Sequence, residues 1–419
     1  MTRHPRTGAP GTPGTNALCP AGRAISLADA GRELPVAVRL AERALGGSQC
    51  RWEPSCVFDA LTTLVVAGEP AAAEEVAARF EWHTARAAPF AGRISLLRGR
   101  IARWYGDLEG AWECYERLYR TCREAALGPA IVAETAELLL ARGDQAGARA
   151  VLAGGARTVG PAAPELLCAR GTLSLAAGDF RTALTEFLRC GRQMLARGMT
   201  GPARSAWRRG AARCAHALAD RELAAGLAQR EHGAALTWGE PRAVGQALAV
   251  LAVVAAEGRE SELLSEAAEL LEVAGAGFEA GETRYELGRR FLEKGEPAFA
   301  REQFVRAAEQ FRGIGNRDGA RRAGEALAGL GEPPGPALTE PEARAACLAL
   351  GGYSNRDIAA REFVSVRTVE LHLSQTYRKL GIRGRRELRT RLPELETGCR
   401  RVGISAASPE RPSGPGRVC

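Results

Sequence analysis

The sequence predicts an all-α protein in two parts, a solenoid of helical hairpins followed by a small helical domain near the C-terminus. Three observations carry that prediction. Of the 419 residues, 46% are apolar and 25% charged, as in globular chains, whereas aromatics make up only 5%, low for a protein built from sheet. A two-residue break recurs at near-constant spacing through most of the chain. After a Pro- and Gly-rich interruption at 331–336 the pattern changes to short helices joined by tight turns.

Residues 1–24 are rich in Thr, Gly and Pro and lack a periodic apolar pattern, as does the tail 397–419, so neither end should bury enough surface to order. Between them, at 25–332, lie the repeats. The breaks are Gly68-Glu69, Gly106-Asp107, Gly143-Asp144, Gly178-Asp179, Ala219-Asp220, Gly258-Arg259 and Gly295-Glu296, at successive spacings of 38, 37, 35, 41, 39 and 37. Five residues after the start of each break stand Ala73, Ala111, Ala148, Ala183, Ala224, Leu263 and Ala300. Glycine ends the first helix in a left-handed conformation, an acidic residue suits the start of the second, and alanine lets the two backbones approach. One such hairpin cannot bury its apolar stripe alone, so neighbours must stack. The expected architecture is a tetratricopeptide-like solenoid with a longer, uneven period. An irregular bundle with ordinary glycine stops is the alternative, and the joint Gly and Ala spacing argues against it.

Several function classes fall away on composition. Lys294 and Lys379 are the only lysines, and neither follows a glycine-rich turn, so no GxxxxGK[ST] phosphate loop is present. HExxH, GxSxG and paired Cys/His patterns are also missing, and the chain reads as no enzyme, with no cofactor and no metal. Eleven cysteines run from Cys19 to Cys419 without a CxxC pair, which suits thiols in a reducing compartment. The longest apolar run, Ala247 to Ala256, has ten residues, half of a bilayer span. No targeting segment opens the chain. A cytoplasmic, membrane-independent protein is expected.

A linker at 333–337 leads to the second part, 338–396. Thr339 and Glu342 form a capping-box pattern before a helix that stops at Gly351-Gly352. Ser354 caps a short helix with Ile358 and Ala359 inward, and Ser365 caps a third. In the third helix Val366, Val369, Leu373, Thr376 and Leu380 recur at helical spacing and form the core-facing stripe, leaving Arg367, Glu370, Leu371, Ser374 and Arg378 opposite. Two short helices joined by a tight turn, the second with a mixed polar face, are what a helix-turn-helix presents to a major groove. From 385 to 395 a fourth helix is expected, with Leu388, Leu392 and Leu395 on one side.

Charge concentrates in the same place. Residues 338–392 carry 11 Lys plus Arg against six Asp plus Glu, a net +5 of the chain's total +8. A local basic surplus of this kind is the footprint of a binder of phosphate backbones.

The segments Leu338-Thr, Glu342, Gly352-Tyr-Ser-Asn-Arg-Asp-Ile-Ala359, Val364-Ser-Val-Arg-Thr-Val-Glu370, His372-Leu and Arg378-Lys-Leu-Gly-Ile382 resemble the C-terminal helix-turn-helix of LuxR-type transcriptional regulators. The resemblance covers about 55 residues and departs at Pro341, one place late after Leu-Thr, at Thr376, where an apolar residue is usual, and at Gly384. The repeats, including Phe187-Leu-Arg-Cys-Gly-Arg192 and Trp238-Gly-Glu-Pro-Arg-Ala243, are more weakly similar to the helical half of the large ATP-binding LuxR-like (LAL) regulators. Those regulators carry an ATPase domain ahead of the repeats. This chain begins too late to hold one, so ATP-dependent switching is not expected of it.

The resemblance implies a sequence-specific DNA-binding transcriptional regulator with double-stranded DNA as partner. Arg367, Glu370, Leu371 and Ser374 are then the candidates for base edges: Arg367 for guanine or phosphate, Glu370 for a cytosine amino group, Leu371 for a thymine methyl. Ser365, Thr368, Arg378 and Lys379 are candidates for phosphate contacts, the first two at a helix N-terminus and the last two as cations. A solvated helix face is the plain alternative, and His372 reads as a satisfied structural residue. The fourth helix either pairs two copies on DNA, as a homodimer, or staples onto its own domain. The repeats would hold a protein or small-molecule effector. A different class remains open, in which the repeats are an interaction scaffold and the DNA-binding domain is vestigial.

Overall fold

Every break read from the sequence opens on a left-handed residue, with φ between +61° at Ala219 and +100° at Gly258. The computed structural model describes residues 19–391 apart from 48–49, 51–52, 82–90, 122–126, 160–162, 205, 256–257 and 331–337. The two ends and the linker named above therefore fall largely outside the described residues. The chain divides into two compact units, Met1–Gly329 and Leu330–Cys419. Twenty α-helices and no strand occur among the described residues.

The first unit is a run of helical hairpins. They are α1 (Pro20–Ala30) with α2 (Leu34–Gly46), α3 (Pro54–Val66) with α4 (Pro70–Glu81), α5 (Ala91–Tyr105) with α6 (Leu108–Thr121), and α7 (Gly128–Ala141) with α8 (Gln145–Val159). Then follow α9 (Pro164–Ala176) with α10 (Phe180–Ala196), α11 (Trp207–Ala217) with α12 (Arg221–Trp238), α13 (Pro241–Val254) with α14 (Glu260–Val273), and α15 (Gly277–Glu293) with α16 (Pro297–Gly313). A single helix, α17 (Arg317–Gly329), closes the unit. Each helix packs on the next in sequence, as a solenoid requires.

The capping chemistry of the break is visible at four of the seven hairpins. Asp107, Asp144, Asp179 and Asp220 cap the second helix, each accepting a backbone N–H three residues on, at 2.8, 2.8, 3.1 and 3.1 Å. Ala73, Ala111, Ala148, Ala183, Ala224 and Ala300 are fully buried, and Leu263 nearly so. The close approach extends to the first helix of the pair. A Cβ on Gly99 of α5 would stand 2.0 Å from the ring of buried Tyr115 on α6, and one on Gly288 of α15 2.7 Å from Phe304 on α16. A residue without a side chain lets a large ring fill the space between two helices.

The hairpin α1–α2 adds a pair before the seven read from sequence, turning at Gly31. Helix α1 begins at Pro20, five residues inside the segment expected to lack order. Cys19 supplies the reason: it is the N-cap, and its Sγ accepts the Gly22 N–H at 3.2 Å, with Pro20 pre-set for the first turn.

Hydrogen bonds between residues far apart in sequence show how the hairpins wind. Trp104 Nε1 donates to the Ala274 carbonyl at 2.9 Å, Trp238 Nε1 to the Val66 carbonyl at 3.1 Å, and Thr200 Oγ1 to the Ala30 carbonyl at 2.9 Å. Their sequence separations are 170, 172 and 170 residues. At a repeat of about 38 residues, one superhelical turn takes roughly four and a half hairpins, and successive turns touch.

Buried charges tie helices within and between hairpins. Glu134 on α7 accepts from Arg100 Nη2 at 2.7 Å and from the Tyr115 hydroxyl at 2.8 Å. Burial alone would raise its carboxyl, yet the Arg100 guanidinium outweighs that and holds it below the usual range. Glu231, fully buried on α12, accepts from Arg209 Nη1 at 2.6 Å. Arg284 on α15 donates to both oxygens of Glu272, at 2.8 and 3.0 Å. No helix among the described residues is long and apolar enough to cross a membrane.

Cysteine chemistry departs from a uniform set of thiols. Cys50, Cys56, Cys168, Cys190 and Cys214 are buried and carry no disulfide, as Cys19 and Cys114 also carry none. Cys347 is disulfide-bonded, where the sequence reading expects a thiol. Burial, reinforced by the Cys19 thiol, pushes Cys56 well above the ordinary cysteine range.

Candidate nucleic-acid interface

Among its described residues the second unit has three short α-helices and a 3-10 segment: α18 (Glu340–Leu350), α19 (Asn355–Glu362), α20 (Val366–Lys379) and Arg385–Arg391. Local signals set their ends. Thr339 N–H donates to Glu342 Oε2 at 2.7 Å in the capping box of α18. Ser354 Oγ accepts the Asp357 N–H at 3.2 Å, and Asp357 Oδ2 accepts the Ser354 N–H at 3.1 Å. The Ser354 hydroxyl, donating to Asp357 Oδ2 at 2.5 Å, and then the Ser354 N–H hold the Asp357 carboxyl below its usual range. Helix α19 stops at Phe363, whose φ of +55° turns the chain toward α20 and leaves its ring 95% exposed. Ser365 then caps α20, its Oγ accepting the Thr368 N–H at 3.1 Å.

The core of this unit gathers Ala346 and Leu348 from α18, Ile358 from α19, Val369 and Leu373 from α20, and Leu388 from the 3-10 segment. Helix α20 is thereby fixed with one side in and one side out. Of the stripe read from sequence, Val369, Leu373 and Thr376 are buried and Leu380 half-buried. Val366 is the exception and is exposed, because it opens the first turn of α20 beyond the reach of the core. The buried Thr376 hydroxyl is satisfied, donating to the His372 carbonyl at 2.8 Å, so the departure from an apolar residue there leaves no orphan. His372 itself differs from a satisfied histidine: its Nδ1 is buried without a hydrogen-bond partner among the described residues.

The outward face is Arg367, Glu370, Leu371, Ser374 and Arg378, all five exposed. Leu371 is 55% exposed, a large apolar side chain held in water in the middle of a polar face. Ser365 and Thr368 stand at the N-terminal end, their hydroxyls 2.7 Å apart. Lys379 is committed elsewhere, with its Nζ 2.5 Å from Glu342 Oε2 on α18. Sequence reasoning had no signal for that pair, because its members are 37 residues apart. The same holds for Arg385, which donates to the carbonyls of Ala349 and Tyr353 and pins the 3-10 segment to the turn between α18 and α19. Among the described side chains, Arg356, Arg361, Arg367, Arg378, Arg383 and Arg386 carry positive charge at the exposed surface.

The expected fourth helix is a seven-residue 3-10 segment, with Leu388 buried in its own domain. Leu392 and Leu395 lie outside the described residues.

A short helix seated on its partner by an apolar back, with a capped N-terminus and a basic, solvent-facing front, defines a helix-turn-helix domain. Residues 336–391 match the family described as bacterial regulatory proteins, luxR family. The C-terminal domain is of that type, and the rest of the chain is helical. No curated protein matches the sequence.

Among solved structures the chain is similar to three that differ in kind. One is the crystal structure of the APC/C hetero-tetramer Cut9-Hcn1, at 13% identity and a TM-score of 0.48 over 75% of this chain. A second is a Rap protein complexed with competence and sporulation factor, at 13% identity and a TM-score of 0.45 over 74%. The third is yeast Tom70, at 10% identity and a TM-score of 0.29 over 74%. The chain spans 55%, 96% and 88% of those three chains, respectively.

Proposed function

We propose that the protein is a sequence-specific DNA-binding transcriptional regulator in which α20 lies in the major groove. The observation that carries the proposal is the two-sidedness of α20: Val369, Leu373 and Thr376 are buried while Arg367, Glu370, Leu371 and Ser374 face water. On this reading those four meet base edges. Arg367 reaches guanine, Glu370 accepts from cytosine, Leu371 touches a thymine methyl, and Ser374 bonds to either partner of a pair. Ser365, Thr368 and Arg378 meet phosphates and set register, with the first-turn amides of α20 alongside the hydroxyls. Lys379 joins them only by exchanging or sharing its Glu342 partner.

Binding as two copies belongs to the same reading and rests on the resemblance alone, since Leu388 packs inward. The hairpin solenoid is the sensor or partner-binding part, by its similarity to the helical half of the LAL regulators. A cytoplasmic location fits the same reading, because the DNA target lies there in a bacterium.

The test is selection of bound sequences from a random duplex library at fixed salt, repeated with Arg367→Ala and Leu371→Ala. Each variant should relax the preference at its own base position, by about 1–3 kcal/mol of discrimination for the arginine. Unchanged preference in both would remove α20 from the reading role.

A further inference from the structure

Cys19, Cys50 and Cys56 come from three separate elements, the N-cap of α1, the turn after α2 and the first turn of α3. Their sulfurs nevertheless converge. All three Sγ atoms lie within 4.8 Å of one another, and Cys19 and Cys56 are 3.8 Å apart. Spacings of 31 and 6 residues in sequence match no metal-binding pattern, which is why only the fold reveals the group.

We propose that these three cysteines form a binding site for one soft, thiophilic d10 metal ion, of the Zn2+ or Cu+ type, bound as a three-thiolate set that staples α1 to α3. Metal–thiolate bonds near 2.3 Å place sulfurs about 3.8–4.0 Å apart in tetrahedral or trigonal coordination, and the Cys19–Cys56 separation already has that value. Burial favours the neutral thiol at Cys56, so an ion must displace its proton against that cost. Two features work the other way: Cys56 stands in the first turn of α3, where the dipole favours an anion, and Cys19 Sγ, at the N-cap of α1, already accepts a backbone N–H from Gly22. Cys50 and Cys56 are buried, while Cys19 is half-buried and provides the entry path. On binding, each S–H bond breaks, its proton goes to solvent, and the sulfur's electron pair forms the bond to the metal.

A disulfide is the competing use of such a cluster. Joining Cys19 to Cys56 would close the sulfurs from 3.8 Å to a bond of about 2.05 Å and would leave the third converging sulfur unused. The proposal stands apart from the DNA-binding reading, and neither needs the other.

The test uses the full, reduced chain. Native mass spectrometry with Zn2+ should show one ion per chain, and Cd2+ titration should give thiolate-to-metal charge-transfer absorbance that ends at one equivalent. Bound Zn2+ should protect Cys19, Cys50 and Cys56 together from alkylation, as read by peptide mapping. Cys19→Ser, Cys50→Ser and Cys56→Ser should each weaken binding by about tenfold or more, whereas Cys114→Ser on α6 should not. The wild-type stoichiometry and the protection pattern stand even if a variant fails to fold. Three results would overturn the site: no ion bound by the wild type, binding that persists in all three variants, or a reduced chain that ignores metal while Cys19 and Cys56 oxidise to a disulfide in air.

Discussion

Lys379 Nζ lies 2.5 Å from Glu342 Oε2, joining the last turn of α20 to the first turn of α18. The same carboxylate oxygen accepts the Thr339 N–H, so one buried group closes a helix cap and anchors the recognition helix. Burial works against the charge. The Lys379 ammonium and the Thr339 bond outweigh it, leaving the Glu342 carboxyl below its usual range.

Replacing Lys379 with Met strands that carboxylate without a cation, and should destabilise the C-terminal domain by about 1–3 kcal/mol. Amide hydrogen exchange in α18 and α20 measures it. Because the folded pKa of Glu342 is depressed, its contribution is complete at neutral pH and fades as pH falls through the carboxylate range; Lys379→Met should flatten that acid limb. Equal exchange rates in wild type and variant would show the pair to be ornamental.

Arg378 is exposed on the same helix and, if it meets phosphate, carries no sequence information. Arg378→Ala should then weaken binding to every duplex alike and lower the salt slope by about one. Fluorescence anisotropy across a salt series checks it. A loss confined to one operator would move Arg378 to the base-reading set.

Gly99 cannot accept a Cβ without displacing the buried ring of Tyr115, which in turn bonds Glu134. Gly99→Ala should cost about 1–3 kcal/mol in urea denaturation. Gly233, in the exposed middle of α12 with nothing within 4 Å of a built Cβ, makes the opposite case. Gly233→Ala should stabilise by about 0.5–1 kcal/mol.

Ala219 takes the left-handed turn that glycine takes at the other six breaks, with φ at +61°. Ala219→Gly removes a strain of about 1–2 kcal/mol and gains some unfolded-state entropy, for a net rise in stability below 1.5 kcal/mol or so. A fall in melting temperature would mean that the methyl packs usefully.

Burial pushes the Asp59 carboxyl up to about 6, against the pull of Arg204 and Arg93. A carboxyl raised on folding keeps its proton longer in the native state, so its contribution is present below the unfolded value and is lost as pH rises through about 6. Asp59→Asn should therefore gain stability relative to wild type above pH 6 and lose the dependence between about 4 and 6. Melting temperatures across that window decide it.

The hairpin frame was legible because it is periodic: alanine stands at the fixed offset after six of seven breaks, and the structure buries those alanines without exception. The outward face of α20 was equally legible, since helical spacing alone separates Leu373 from Leu371. What sequence could not show depends on residues that only the fold brings together. The Lys379–Glu342 pair, the Arg385 clasp on Ala349 and Tyr353, and the three converging sulfurs all belong to this kind. Val366 was misplaced for a different reason, because periodicity does not say where a core ends. Where a fourth α-helix is expected, the described residues form a seven-residue 3-10 segment with Leu388 buried.

The indole of Trp104 reaching Ala274, and that of Trp238 reaching Val66, impose a count on the whole coil. An open array of hairpins tolerates a link gained or lost, since each link meets only its neighbours. Here an inserted link would rotate everything beyond it by roughly 80° of winding, and each gyre would meet the wrong rung of the one beneath. Evolution of this protein by duplicating a hairpin is thereby penalised, and stretching it requires those rungs to let go one by one.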